Sequence, residues 1–359
     1  MPTESQSFIH PGADVHAPRP LRLAINGYGR IGRCFLRALH ESGLNNRLNV
    51  VAINEPADLA SIVYLTRFDS THGRFPGRVE AGERGLLIDG NAIPVSHETR
   101  PEAVDWAAHD IDLVLECSGR YSERAALTRF LAAGCPRLLL SQPGSSAGDV
   151  DATIVYGINH HTLKGDERLV SNASCATNAV VPVLALLQAE LGLQQVLLTT
   201  LHSAMNDQPL IDGYHHPDLR RTRSAMQSII PVSTGLARGV ERLLPALAGR
   251  VQAKAIRVPT HNVSAIDMVL ALDREVGPDS LNTLLREAAA GPWRGLIAWS
   301  DEPHASIDFN HDPHSAIVDG SQTRMVGPRL ANVVVWFDNE WGFANRMLDV
   351  ARHWLLGRA

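Results

Sequence analysis

The chain of 359 residues is long enough for two domains of ordinary size. Hydrophobic residues make up 45% and charged residues 20% of it, a balance typical of globular proteins. The formal net charge of -5 gives no general attraction to nucleic acid or to an anionic membrane surface, so we expect neither partner.

The cellular location is predicted from apolar runs and cysteines. No apolar run approaches the length of a membrane span, and residues 1–20 lack the basic-then-apolar order of a signal peptide. Cysteines 34, 117, 135 and 175 show no paired spacing, which favours free thiols. We therefore expect a cytoplasmic protein with a flexible extension over residues 1–20.

A glycine-rich turn follows the first ordered segment. The strand-like run 21–25 leads into Gly27-Tyr28-Gly29-Arg30-Ile31-Gly32, after which apolar residues recur at helical spacing. A second strand-like run, 48–53, ends at Asn54-Glu55. This order predicts a dinucleotide site in which Gly27, Gly29 and Gly32 let the backbone approach a pyrophosphate. Glu55 is placed to accept hydrogen bonds from a ribose and disfavours a 2′-phosphate, so NAD is expected rather than NADP.

The later elements predict a second domain. Apolar strand-like runs that suit a parallel sheet lie at 86–88, 111–117 and 137–140. Runs with the alternating faces of a largely antiparallel sheet follow at 196–201, 251–258, 265–271 and 330–337. The expected fold class is α/β, a Rossmann-type NAD-binding domain plus an α+β catalytic domain with a mostly antiparallel sheet. The predicted boundaries are 21–174 and 175–340, with a C-terminal helix over 341–359 completing the first domain.

Cys175 is the candidate nucleophile. It lies in Ser174-Cys175-Ala176 at the opening of an apolar segment, and a helix there would stabilise a thiolate at its N-terminus. A buried structural cysteine is the alternative, but polar residues surround Cys175 and His202 follows as a possible base.

An arginine cluster predicts an anion site. Arg220, Arg221 and Arg223 are either a solvated face or guanidinium groups for phosphate oxygens, with Arg257 completing the pocket beside Thr234 and Gly235. A phosphorylated metabolite would suit this pocket. The run 308–314 contains metal-ligand residue types without a diagnostic spacing, and we expect no metal there.

These motifs together resemble the glyceraldehyde-3-phosphate dehydrogenase superfamily. The general resemblance rests on residues 25–33, 171–178, 257–260 and 338–342 and covers the chain from Leu21 onward. The segments 54–55, 202–205, 216–223 and 308–323 look most like the branch of erythrose-4-phosphate dehydrogenases.

The resemblance implies a role for each matching residue and a homotetrameric assembly. Cys175 matches the nucleophile and His202 the base that activates it. The remaining matches are Arg30 and Ile31 for the cofactor, Asn339 for the nicotinamide amide, and Ser174, Ala176, Arg221, Thr234, Gly235 and Arg257 for the substrate.

Departures from the family pattern bear on the reaction. Ala176 and Met205 stand where hydroxyl side chains are usual, which favours hydrolysis of a cysteine thioester by water. The resemblance to the erythrose-4-phosphate branch implies 4-phosphoerythronate as the product and a place in pyridoxal 5′-phosphate synthesis. Gly235 instead matches the phosphorylating glycolytic enzyme, which remains the alternative. The cofactor-domain position expected to be Arg is Thr99, beside Arg100. A cofactor-sensing protein without catalysis would predict damage at Cys175, His202 or Asn339, and none is visible.

Overall fold

The computed structural model describes residues 19–214 and 218–357, which divide into two compact units. One unit, here called the nucleotide unit, ends at Ser174 and takes in the segment from Ala344; the other, the catalytic unit, spans Cys175–Phe343. The extension predicted over residues 1–20 falls mainly on residues 1–18, which lie outside the described residues. So do His215, His216 and Pro217 of the arginine-rich segment.

The nucleotide unit is built on a nine-stranded sheet. Its strands run in the order β10-β11-β9-β8-β1-β2-β7-β6-β5, parallel from β10 to β7 and antiparallel from β7 to β5. The parallel sheet predicted from the apolar runs is confirmed. The elements are β1 (Leu21–Asn26), α1 (Arg30–Glu41), β2 (Leu48–Asn54), α2 (Leu59–Arg67), β3 (Phe68–Asp69), β4 (Gly73–Arg74), β5 (Val79–Ala81), β6 (Gly85–Ile88), β7 (Asn91–Ser96), β8 (Leu113–Glu116), α3 (Arg124–Ala132), β9 (Leu138–Leu140), β10 (Ala152–Thr153) and β11 (Leu169–Ser171).

The connection order places a crevice at the carboxyl edge of this sheet. From β1 the chain goes to β2 on one side, and it later returns to β8 on the other, so the direction of winding reverses between β1 and β8. Ligands of open parallel sheets bind at such a reversal. Trp106 and Phe130 anchor the apolar core below it, with ring centroids 6.2 Å apart.

The catalytic unit carries an eight-stranded sheet. Seven strands run in the order β13-β14-β12-β15-β19-β17-β16, and β18 pairs with β19. Only the pairs β12–β14 and β16–β17 are parallel, so the mostly antiparallel sheet is confirmed. The elements are α4 (Cys175–Leu191), β12 (Leu193–His202), β13 (Ile230–Val232), α5 (Leu236–Leu243), β14 (Val251–Arg257), β15 (Ser264–Leu272), α6 (Pro278–Ala290), β16 (Ile297–Ser300), β17 (Ala316–Asp319), β18 (Arg324–Val326), β19 (Leu330–Phe337) and α7 (Trp341–Leu356), which continues into the nucleotide unit.

The helix predicted after Cys175 is present and includes Pro182. Proline in a helix interior removes one backbone hydrogen bond, but most of α4 is buried against the sheet and packing compensates for that loss. Among the described residues no helix is long and apolar enough to cross a membrane.

Candidate active site

Cys175 is the first residue of α4, as the sequence predicts. The backbone N–H groups of Cys175 and Ala176 favour the thiolate, as does the charge of Arg257. Burial of the thiol opposes them and is the larger effect, so the pKa of Cys175 is raised to about 11. The expectation of a resting thiolate is therefore wrong for this state, because desolvation outweighs the helix N-terminus.

His202 ends β12 and presents its ring to the thiol. Its Nε2 atom lies 3.6 Å from the Sγ atom of Cys175. Burial, and after it the neighbouring charge of Arg257, lower the pKa of His202 to about 4. At neutral pH the pair is a neutral imidazole beside a neutral thiol, which suits a base that takes the thiol proton during attack.

Strand register brings the arginine of β14 to this pair. His202 of β12 lies opposite Arg257 of β14, and Arg257 lies opposite Ile230 of β13. Thr234 and Gly235 follow β13, where Gly235 precedes the first turn of α5 and Thr234 Oγ1 accepts a hydrogen bond from Leu236 N at 3.2 Å.

Helices α4 and α5 meet at a short contact. A methyl group at Gly239 would lie 3.0 Å from Oγ1 of Thr177, in the first turn after Cys175. Strand pairing thus sets Arg257 opposite His202, and the contact of Gly239 with Thr177 joins α5, which Thr234 and Gly235 precede, to the first turn of α4.

Arg221 is engaged by carboxylates. Its Nη1 lies 2.9 Å from Asp207 and its Nε lies 3.7 Å from Asp218. Arg257 is within electrostatic reach of both Arg221 and Asp207. The arginine cluster is thus neither a plain solvated face nor an unoccupied anion pocket, and an anion would compete with Asp207 for Arg221. Asp207 was not foreseen.

Asn339 is oriented by two serines. Its Oδ1 atom accepts hydrogen bonds from Ser203 Oγ at 3.0 Å and Ser264 Oγ at 2.8 Å, and Ser264 Oγ accepts from Ser203 N at 3.1 Å. With Oδ1 occupied by two donors, the Nδ2 end of the amide is directed elsewhere as a donor. Ser203 adjoins His202, so one segment supports both predicted site residues. Sequence reasoning assigned no role to either serine.

The glycine turn fits a dinucleotide phosphate. Gly27 has φ of +86°. A side chain at Gly27 would meet the backbone of Ser118, and a side chain at Gly32 would meet the backbone of Gly27. A methyl group at Gly29, directly before α1, would meet no atom within 4 Å. Gly29 therefore leaves open space at a helix N-terminus, where backbone N–H groups favour an anion.

A cavity of about 190 Å³ adjoins this turn. It is lined by Gly27, Gly29, Asn54, Glu55, Glu98, Thr99, Ser118 and Tyr121, among others. Thr99 lines the cavity although it stands where arginine was expected. These residues would hold the adenosine half of NAD.

Two predicted cofactor side chains already have protein partners. Glu55 accepts hydrogen bonds from Tyr28 N at 2.8 Å and Ala57 N at 3.2 Å, so it fixes the glycine turn. Its carboxylate retains lone pairs for a ribose hydroxyl. Arg30, at the start of α1, pairs with Asp69 at 2.5 Å, and Ile31 is partly buried in the same turn.

A buried polar network below the cavity was missed in the sequence. Asn26 donates to Glu116 at 2.5 Å and accepts from Asn54 at 2.8 Å, linking the ends of β8, β1 and β2. Burial raises the pKa of Glu116 to about 7. The apolar runs before these residues were visible, but their pairing depends on strand order.

Comparison with family models agrees with this geometry. Residues 21–124 match the model "Glyceraldehyde 3-phosphate dehydrogenase, NAD binding domain". Residues 174–339 match the model "Glyceraldehyde 3-phosphate dehydrogenase, C-terminal domain".

The chain belongs to the glyceraldehyde-3-phosphate dehydrogenase family. It is an NAD-dependent dehydrogenase with a Rossmann-type NAD-binding domain and a C-terminal catalytic domain. In family terms Ser174 and Ala176 flank the nucleophile, and both side chains are partly exposed. The family match does not distinguish erythrose 4-phosphate from glyceraldehyde 3-phosphate as the substrate.

Proposed function

We propose that the protein oxidises D-erythrose 4-phosphate with NAD and releases 4-phosphoerythronate by hydrolysis of a thioester on Cys175. The observation that carries the proposal is the replacement of hydroxyl side chains near the thiol. Ala176 follows the nucleophile, and Met205, three residues after His202, exposes 45% of its surface. Neither side chain donates a hydrogen bond to inorganic phosphate.

The chain's residues supply the acid-base chemistry. His202 takes the proton of the Cys175 thiol as sulfur attacks the aldehyde carbon, and backbone N–H groups at the start of α4 stabilise the oxyanion. His202 returns that proton to the oxyanion, which gives the hydroxyl of the hemithioacetal, and takes it back as the hydride leaves the carbon. The chemistry that NAD supplies when bound is hydride acceptance, which leaves a thioester.

Hydrolysis completes the cycle. His202 first releases its proton to solvent. It then removes a proton from water as the water oxygen bonds to the thioester carbon, and the carbon–sulfur bond breaks. The carboxylic acid leaves, and the sulfur takes the proton held by His202. The pKa of His202, lowered to about 4, keeps the ring able to accept that proton at neutral pH.

Gly235 favours the second candidate, a phosphorylating glyceraldehyde-3-phosphate dehydrogenase of glycolysis or gluconeogenesis. It matches the glycolytic pattern and lies at the exposed start of α5. Inorganic phosphate would then attack the thioester and release an acyl phosphate.

Initial rates of NADH formation separate the two candidates. The aldehydes are D-erythrose 4-phosphate and D-glyceraldehyde 3-phosphate, each with and without inorganic phosphate, and the Cys175→Ala variant is the blank. The proposal expects higher kcat/KM for the erythrose substrate and no phosphate requirement. A strict phosphate requirement with the triose substrate would replace it by the second candidate.

The proposal extends to assembly, location and pathway. We propose a homotetramer in the cytoplasm that feeds pyridoxal 5′-phosphate synthesis. The outward side of β12 supports assembly, since Leu197 and Leu201 expose 45% and 38% of their surface there. Burial of such a face against a second copy would remove apolar area from water.

A further inference from the structure

A turn after the candidate base carries a carboxylate without an assigned role, that of Asp207. His202 ends β12, and Asp207 follows five residues later. Gln208 N donates to Met205 O at 3.0 Å, and Met205 N donates to Gln208 Oε1 at 3.2 Å. These two hydrogen bonds close the turn around Asp207, so its backbone is held at a defined place after the end of β12.

The carboxylate of Asp207 lies among three groups of the candidate site. Its Oδ2 atom accepts a hydrogen bond from Arg221 Nη1 at 2.9 Å. Its charge is also close enough to act on His202 and on Arg257. The side chain is 39% exposed, so solvent screens that charge only in part. The site therefore holds a negative charge beside the candidate base.

Two arginines of the predicted anion site already have carboxylate partners. Besides Asp207, Arg221 has Asp218 at 3.7 Å from its Nε, and Arg223 has Asp212 at 2.9 Å from its Nε. An anion that enters from solvent must displace one of these carboxylates or remain beside it. The segment is thus a weaker site for free phosphate than its arginines alone would be.

Water and inorganic phosphate, the two acceptors considered for the acyl group, differ in charge. Water is neutral, whereas inorganic phosphate is mostly a dianion in mildly alkaline solution. A dianion about 8 Å from a carboxylate is disfavoured about fivefold even in water-like surroundings, and more at shorter range. The phosphate of the acyl group is held by covalent attachment once the thioester has formed, so the same repulsion does not remove it.

We propose that Asp207 is a specificity-determining residue whose carboxylate disfavours inorganic phosphate as the acyl acceptor and so leaves the thioester on Cys175 to water. Without that charge, an oxygen of hydrogen phosphate bonds to the thioester carbon and the carbon–sulfur bond breaks. The proton of the hydrogen phosphate passes through His202 to the sulfur, and an acyl phosphate leaves. The proposal rests on the thioester of the proposed function, but not on which acceptor the wild type prefers.

The test is phosphate use by Asp207→Asn, which removes the charge and keeps the size of the side chain. Purified protein turns over saturating NAD and either D-erythrose 4-phosphate or D-glyceraldehyde 3-phosphate, with ³²P-labelled inorganic phosphate at an ionic strength held constant with sodium chloride. Labelled acyl phosphate as a function of phosphate concentration gives kcat/KM for phosphate. We expect this value to rise at least about fivefold over the wild type.

Two variants separate the charge of Asp207 from other effects. Asp207→Glu keeps the charge and is expected to keep the wild-type kcat/KM for phosphate. Asp212→Asn removes a charge from the same segment, where Asp212 pairs with the exposed Arg223, and is also expected to keep the wild-type value. All of the substituted side chains are exposed, so thermal unfolding should show little change.

Three results would overturn the proposal: no rise in kcat/KM for phosphate in Asp207→Asn, an equal rise in Asp212→Asn, or a raised KM for the sugar phosphate as the only change. The last would mean that Asp207 merely holds Arg221.

The proposed function is judged on the wild type alone. If the wild type requires phosphate and Asp207→Asn still raises kcat/KM for phosphate, the proposed function fails and the role of Asp207 stands. If the wild type hydrolyses the thioester and Asp207→Asn uses phosphate no better, the reverse holds.

Discussion

Burial favours the neutral forms of Cys175 and His202, and the protonation states of these two groups determine how the site responds to pH. Desolvation raises the pKa of the thiol to about 11 and lowers that of the imidazole to about 4. Between these values the thiol keeps its proton and the ring remains a base. A protonated thiol is a weak nucleophile, so the proposed attack of Cys175 requires transfer of its proton to His202.

The pH dependence follows from these directions. Without NAD, alkylation of Cys175 by iodoacetamide is expected to be slow at pH 8, where a thiol of pKa about 11 is ionised in about one molecule per thousand. The rate should keep rising up to pH 11. Mass spectrometry of the modified protein measures it, with Cys175→Ala as the blank. A plateau below pH 8 would show that the resting thiolate is favoured after all.

Protonation of His202 is expected to limit activity only in acid. Because the folded-state pKa is depressed to about 4 from an ordinary 6.5, the ring loses its basic form only as pH falls through about 4. The acid limb of kcat/KM should therefore lie well below pH 6.5. A limb at 6.5 in an otherwise stable protein would contradict the buried, neutral imidazole.

The serines that hold Asn339 are expected to affect NAD binding. Ser264→Ala removes a donor to Asn339 and also leaves Ser203 N without its acceptor, whereas Ser203→Ala removes only one donor. One net hydrogen bond contributes about 1 kcal/mol, so Ser203→Ala should raise the KM for NAD about fivefold and Ser264→Ala more. Ser280→Ala, on the exposed face of α6, is the control. Equal KM values in all three would exclude this orienting role.

At the scale of elements, the register between paired strands positions the residues of the site. The parallel pairing of β12 with β14 sets His202 beside Arg257, and the antiparallel pairing of β15 with β19 sets Ser264 opposite Phe337, two residues before Asn339. Val263, just before β15, has φ of +61°, a strained value for a β-branched residue. The strain is maintained by burial of its side chain against Phe309 and Ile317.

Gly29 and Gly32, at the turn from β1 into α1, are expected to have different roles. Gly29→Ala adds a methyl group in open space at φ of -76°, so it should leave the free energy of unfolding unchanged and weaken NAD binding. Gly32→Ala places a methyl group too close to the carbonyl oxygen of Gly27, so it should lower the free energy of unfolding by about 1–3 kcal/mol. Thermal unfolding and NAD titration of both variants check this. Equal loss of stability in the two would contradict the proposed division of roles.

Sequence patterns predict the long helices and strands. They do not predict the short strands or the burial of individual side chains, which depend on how distant segments pair and pack. Leu330–Phe337 has its predicted bounds because eight apolar or alternating residues lie between turns. The short strands β13, β16, β17 and β18 were not predicted, since three or four residues carry too little periodicity. The high pKa of Cys175 was misjudged because a helix N-terminus is a local feature, whereas burial depends on the whole unit.

At the scale of the whole molecule, the features expected to bind NAD and the candidate catalytic residues lie in different units. The nucleotide unit provides the glycine turn and the cavity with Glu55, and the catalytic unit provides Cys175, His202 and Arg257. This division explains why the family match identifies an NAD-dependent dehydrogenase without naming the aldehyde. The substrate depends on a few side chains of the catalytic unit.

Assembly is tested on the exposed side of β12. If this face is covered by a second copy, Leu197→Glu should disrupt the oligomer by placing a charge in an apolar interface. Size-exclusion chromatography with light scattering gives the mass. Leu210→Glu, in an exposed loop outside β12, is the matched control. A wild-type mass of one chain, or an unchanged tetramer in Leu197→Glu, would contradict this interface.

Hydrolysis of the Cys175 thioester is tested most directly by letting water and inorganic phosphate compete for it. D-Erythrose 4-phosphate is oxidised in H₂¹⁸O with inorganic phosphate present, and the product is followed by ³¹P NMR and mass spectrometry. Hydrolysis predicts 4-phosphoerythronate as the first product, with ¹⁸O in its carboxylate, and no acyl-phosphate signal. An acyl phosphate as the first product would contradict hydrolysis and assign the protein to the phosphorylating enzymes.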